Sequence, residues 1–297
     1  MVFHEAEIRS GYEEITRMLI RRKSSITTME SCTAGLLATL LTNTEGSSEI
    51  LKGAFVTYCN EANYTNALTW VRRAEAADPK SVRVLNVKGI ILFRRGDDNN
   101  AAKAFRDAMK IAPDNTDACF NLGSLYCYRN QYDLAISTLR GGLKNHRRSV
   151  KLYYCLGWAF MLKGDMAGAI ECLQTVVGID SGYVNAYNRM GDIYFERGEY
   201  PRAIEQYRKA VHIAPDLAEA YRLLGRTYAA MKDNQKAIHN YQKAVERDRS
   251  DGETYCRIAE LYAAKKQGAK EKANYRRAAK LGNTTAQRWC TANGVEY

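Results

Sequence analysis

Ser31 is the first residue whose setting could support chemistry. It stands between Ser24–Glu30 (SSITTME), short and β-branched enough to read as a strand, and Thr33–Leu41, which reads as a helix. A hydroxyl at a strand-to-helix turn is exposed and close to backbone N–H donors, but it becomes a nucleophile only beside a base. A serine in that place can equally cap or precede the following helix and do no chemistry. Both readings are open. Elsewhere the chain offers little for catalysis or metal binding. His146, His212 and His239 fall at unrelated positions, no paired-carboxylate or metal-ligand cluster stands out, and there is no P-loop or G-x-G-x-x-G. No cofactor is expected.

The elements that position everything else are organised around Val184–Leu217. Tyr187, Met190, Gly191 and Tyr194 share one helical face, Gly198-Glu199 breaks the pattern, and Pro201 suits the first turn of a second helix carrying Ala203, Tyr207 and Ala210. Neither helix buries its apolar stripe alone. With Val184 as position 1 and a step of 34, position 8 reads Gly89, Gly123, Gly157, Gly191, Gly225 and Ala259. Position 20 is Ala67, Ala101, Ala135, Ala169, Ala203 and Ala237, and Pro79, Pro113 and Pro215 share position 32. Small residues at positions 8 and 20 let two backbones approach closely. The pattern resembles the tetratricopeptide (TPR) repeat. It implies a half repeat at 64–81, six repeats at 82–115, 116–149, 150–183, 184–217, 218–251 and 252–285, and a carboxy-terminal capping helix within 286–297. The expected fold is mainly α, a right-handed α-solenoid of helix hairpins preceded by a short truncated α/β segment.

That segment, 1–63, reads as a helix at 5–22, then strand, helix and a further strand candidate at Gly53–Tyr58. Residues 48–62 also fit a degenerate repeat helix, and the sequence leaves strand or helix open. Glu30-Ser31-Cys32-Thr33-Ala34-Gly35, Glu45-Gly46-Ser47-Ser48 and Tyr58-Cys59-Asn60-Glu61-Ala62 resemble, in this order, the opening of the nicotinamide-nucleotide amidase family, the CinA carboxy-terminal domain. The resemblance implies Ser31 as nucleophile, Thr33 and its neighbours at the oxyanion site, and Tyr58 assisting proton transfer. Asn63 stands where the family has a lysine, and an amide cannot accept a proton at neutral pH. The family's later glycine-rich segment is replaced by repeats. The expectation is an inactive remnant and no enzyme, with deamidation of nicotinamide mononucleotide as the alternative.

Of the net charge of +11, residues 1–63 carry −2 and the remainder +13. A basic array can attract acidic proteins, nucleic acid or anionic membrane, so an RNA- or membrane-associated adaptor is a further alternative, although nucleic acid is not the expected partner. The eight cysteines form no C-x-x-C pair, which favours reduced, packed thiols and a cytoplasmic location. The start is acidic and lacks an apolar leader region, and no apolar run is long enough to cross a bilayer.

The TPR resemblance implies a concave surface lined by the first helices, with positions 2, 5, 9, 12 and 13 facing it. Those positions include Asn86, Phe93, Phe120, Tyr154, Trp158, Asn188, Phe195, Arg222 and Arg226. Aromatic residues and arginine are the types enriched at interface hot spots. A protein or peptide partner in this groove is therefore the expected function, with an apolar anchor at Trp158 and an acidic group towards Arg222 and Arg226. Asn86, Ile90, Asn121, Lys151 and Cys155 match only two of the five positions of a heat-shock carboxylate clamp, so that subtype is excluded.

Overall fold

A computed structural model describes residues 64–297. The helix, strand and turn readings for 1–63, including Ser31, Thr33, Tyr58 and the 48–62 alternatives, lie outside the described residues. The described residues form fourteen α-helices and no strand.

The described residues divide into two compact units, the first ending at residue 118 and the second spanning 119–297. In the first, α1 (Tyr64–Ala77) packs on α2 (Val82–Arg94), and α2 on α3 (Asp98–Ile111). Helix α4 (Thr116–Tyr128) runs through the boundary. The second unit continues with α5 (Tyr132–Asn145), α6 (Val150–Lys163), α7 (Met166–Ile179), α8 (Val184–Glu196), α9 (Tyr200–Ile213) and α10 (Ala218–Ala230). It ends with α11 (Asn234–Arg247), α12 (Gly252–Ala264), α13 (Gly268–Lys280) and α14 (Thr284–Ala292). From α5 onward every helix packs on the next. Even-numbered helices from α2 to α12 are the first helices of their hairpins, and the odd-numbered helices that follow them are the second.

The backbone approach inside each hairpin is set by position 8. A Cβ built on Gly191 would land inside the Tyr207 ring, 2.7 Å from its Cδ1. Gly225 meets Tyr241 in the same way, and Gly123 meets Leu139. Tyr207 has no exposed surface, and Ala203 beneath it has none either. The small residue on one helix and the large one at position 24 on the other therefore form a single packing unit.

Aspartates cap first and second helices alike. Asp165, Asp233 and Asp251 accept hydrogen bonds from the backbone N–H three residues on, at 2.9, 3.1 and 2.9 Å, satisfying donors that an uncapped helix leaves bare. Between the helices of each hairpin, position 15 is left-handed: Gly96, Asn130, Gly164, Gly198, Lys232 and Lys266 all have positive φ. Glycine and asparagine tolerate that region, whereas lysine meets its own carbonyl there. Lys232→Gly and Lys266→Gly should each stabilise the second unit by about 0.5–1 kcal/mol, because a left-handed penalty of roughly 1–2 kcal/mol exceeds the added chain entropy of glycine. Urea denaturation checks this, and a lowered midpoint in both variants would contradict it. At the carboxy-terminal end, Trp289 of α14 stacks on Tyr275 of α13 with centroids 4.2 Å apart, and Ala286, Cys290 and Val295 complete a buried cluster with Cys256 and Ala259.

Candidate functional site

The residues expected in a groove are divided between the two units. Asn86 and Phe93 belong to the first. Asn86 is buried, donates to Asn115 Oδ1 at 3.1 Å, and has no partner for its own Oδ1 among the described residues. Phe93 is half-buried. The others line first helices of the second unit, and their environments differ.

Three of the four aromatic residues are engaged by neighbours. Lys151 Nζ lies 4.3 Å over the Phe120 ring. Tyr154 packs on Tyr183 with centroids 5.1 Å apart. Phe195 lies between the Arg226 guanidinium, 4.1 Å from its centroid, and Tyr200 at 5.5 Å. Trp158 has no ring or cation partner among the described residues and is 39% exposed. Leu162, one turn further along α6, is 40% exposed, and Tyr128 at the end of α4 is 66% exposed. Three large apolar side chains on two first helices thus face solvent.

The charged end of the site is already assembled internally. Asp192 Oδ1 accepts from the Tyr207 hydroxyl at 2.8 Å and from Arg226 Nη2 at 3.1 Å, and Arg189 lies 3.5 Å from Oδ2. Burial first, and then the Asp192 carboxylate, push the Tyr207 phenol well above its usual range, so it remains a donor at neutral pH. Arg226, one of the two arginines towards which an acidic ligand group is expected, is held at one edge by Asp192 and supported at its face by Phe195, while its Nε is buried without a partner among the described residues. Arg222 is looser, with Glu219 at 3.8 Å. Arg222 and Arg226 open onto a cavity of about 380 Å³ shared with Tyr241, Glu253, Arg257 and Glu260. Arg257 is bound there by both glutamates, at 2.9 and 3.1 Å. Asn188 is buried in the wall of α8, and its Oδ1 lacks a partner among the described residues. Tyr207→Phe should cost about 1 kcal/mol of stability, the net worth of one hydrogen bond. A thermal melt indistinguishable from wild type would show that Asp192 does not depend on the phenol.

Sequence reasoning missed the Tyr207–Asp192–Arg226 network. A signal was present: position 9 reads Trp158, Asp192, Arg226 and Glu260 in successive repeats, placing opposite charges one repeat apart. It also missed the cations that cover position 11. Arg202 stacks on Tyr194 at 4.2 Å, while Lys236 and Lys270 lie over Tyr228 and Tyr262 at 5.5 and 5.3 Å. Arg208 donates to the Tyr228 hydroxyl at 2.9 Å from the preceding repeat. Among the described residues there is no group of three metal-ligating side chains and no helix long and apolar enough to cross a membrane.

Comparison with known families follows the same division. Tetratricopeptide repeat models match residues 60–116, 120–184 and 218–251, a TPR repeat model matches 191–232, and the CinA C-terminal domain model matches 9–71. A BBSome complex member from Bos taurus is 30% identical over 117 residues, which is 39% of this chain and 22% of that protein. A CinA-like protein from Desulforapulum autotrophicum is 48% identical over 50 residues, 17% of this chain and 12% of that protein. The chain therefore spans only a small part of the length of these curated relatives. The solved C-terminal part of a TPR repeat-containing protein from Cytophaga hutchinsonii superposes with a TM-score of 0.61 at 19% identity, covering 83% of this chain and all of that one, a likeness of fold alone. With its helix hairpins at a 34-residue step and these matches, the chain is a tetratricopeptide repeat protein carrying an amino-terminal segment similar to the CinA C-terminal domain.

Proposed function

We propose that this protein is an interaction scaffold that holds a peptide or helical segment of a partner protein on the first-helix face of its second unit. The single observation that carries the reading is the exposure of Trp158 and Leu162 one turn apart on α6, with Tyr128 exposed at the end of α4. Large apolar side chains open to solvent cost solubility unless something covers them. The partner's apolar side chain would rest on Trp158. An acidic group would approach Arg222, the less restrained of the two arginines, and the Asp192-bound Arg226 would form a rigid wall beside it. Asn188, Phe195, Tyr154 and Phe120 would shape the wall more than contact the ligand, since each is buried or engaged by a neighbour. The Bos taurus relative is by name a member of a protein complex, which fits a scaffold role. Selection from a peptide library on the intact protein tests the proposal. Enriched peptides should share an aromatic or aliphatic residue with a carboxylate nearby, and enrichment that survives Trp158→Ala unchanged would contradict it.

The amino-terminal segment is read as catalytically silent. Asn63 stands where the amidase resemblance calls for a lysine, and an amide cannot accept a proton at neutral pH. Purified protein is expected to release no ammonia from nicotinamide mononucleotide above background. Turnover that disappears in Ser31→Ala would establish an enzyme instead.

A further inference from the structure

The positive charge of the repeats is not spread evenly over the second unit. Its second helices α5, α7, α9, α11 and α13 carry thirteen Lys and Arg against five Asp and Glu, whereas first helices α6, α8, α10 and α12 carry six against five. The surplus lies on α9, α11 and α13, whereas α5 and α7 carry Arg140 and Lys144 against Asp133 and Glu171; these two helices flank a cavity of about 740 Å³ floored by α6, within the size range of ligand clefts. Leu143, Tyr153, Leu156 and Phe160 give it an apolar base. Arg140, Lys144 and Arg147 form one wall. Lys144 and Arg147 have no ion pair or hydrogen bond among the described residues, and Arg140 rests 5.4 Å over the Phe160 ring with its charge otherwise unmatched. The facing wall differs. Helix α7 has no Lys or Arg, Asp165 is committed to capping it through Gly168 N at 2.9 Å, and Glu171 is exposed.

We infer that this outer cavity is a second docking site, separate from the first-helix face, for an acidic amphipathic peptide segment of a partner protein. Its carboxylates meet Arg140, Lys144 and Arg147, and its apolar side chains enter over Leu156 and Phe160. Charge complementarity selects acidity on the edge facing α5, where three cations stand together with no carboxylate partner among the described residues. Two features favour a peptide over a polyphosphate or a lipid surface. The cation-free α7 interrupts the basic side between α5 and α9, so a phosphate backbone laid across the repeats would meet Glu171 and Asp165 where it needs cations. The floor is also apolar, with Leu143, Tyr153, Leu156 and Phe160 beneath the three cations, so a ligand with apolar side chains as well as carboxylates fits it better than a bare phosphate.

The test uses the full chain and a fluorescein-labelled peptide of about twelve residues built from Glu-Leu-Phe-Glu units, a length that spans the cavity in helical or extended form. Anisotropy should show saturable binding that weakens at least tenfold in the double variant Lys144→Glu with Arg147→Glu, whose exposed side chains can change without disturbing the core. Tyr153→Ala should also weaken it, while Trp158→Ala should leave it unchanged, which separates this site from the first-helix face. Melting curves of the charge-reversal and Trp158→Ala variants should match wild type. Absent binding, binding indifferent to the charge reversal, or binding abolished by Trp158→Ala would overturn the proposal. So would uptake of single-stranded RNA or phosphatidylserine vesicles that depends on Lys144 and Arg147 while the peptide fails to bind.

Discussion

Gly191→Ala is expected to destabilise the second unit by about 2 kcal/mol or more, although alanine is ordinarily the better helix residue by roughly 1 kcal/mol. The reason lies across the hairpin. The new Cβ would enter the Tyr207 ring, which has no exposed surface and whose hydroxyl is fixed to Asp192 at 2.8 Å, so the ring cannot swing aside without breaking that bond. Gly157 supplies an internal control. Its nearest neighbours would be Cys172 Cβ at 3.3 Å and Ala169 O and Leu173 Cγ at 3.4 Å, tight contacts that a shift of a few tenths of an ångström relieves. Gly157→Ala should therefore fall within about 0.5 kcal/mol of wild type, helix propensity offsetting the crowding. Because each repeat leans only on its neighbours, the damage from Gly191→Ala should centre on α8 and α9 and fade along the array. Urea melts give the magnitudes and hydrogen exchange gives the spread. Equal effects for the two glycines would mean that the Tyr207 contact does not govern hairpin packing.

Trp158→Ala is expected to weaken binding of a selected peptide by about 2 kcal/mol or more, roughly thirtyfold, the scale of an aromatic hot spot. The same change should barely move the thermal midpoint, since Trp158 is 39% exposed and contacts no ring or cation among the described residues. Phe120→Ala and Phe195→Ala should behave in the opposite way. Each ring supports a cation, Lys151 at 4.3 Å and Arg226 at 4.1 Å, so truncation loosens the wall as well as the surface. A Trp158→Ala variant that melts several degrees lower while binding normally would assign the ring to packing between repeats.

The repeat was legible because its requirements fall on residue types. Close backbone approach demands a small residue at positions 8 and 20, and a 34-residue step makes that demand visible six times. Pro201 in the first turn of α9 and Gly198 in the left-handed turn before it were readable for the same reason. Lys232 and Lys266 were not, because lysine carries no signal for positive φ and the hairpin imposes it on them. Side-chain pairing across repeats was hidden too. Arg226 reads from sequence as a free guanidinium, and only the approach of α8 to α10 brings Asp192 within 3.1 Å of it. The aromatic residues were correctly placed on first helices, yet their types could not reveal that Phe120 and Phe195 are covered while Trp158 is open. In the amino-terminal segment, motif order sufficed for the CinA resemblance, and the family match at residues 9–71 coincides with it.

Hydrogen exchange of the full chain, with and without a peptide selected on it, tests the central proposal most directly. The account predicts added protection on α4 and α6 around Tyr128 and Trp158, extending to α8 and α10, with the second helices little changed. Protection confined to second helices, or none on α6, would contradict a first-helix binding face.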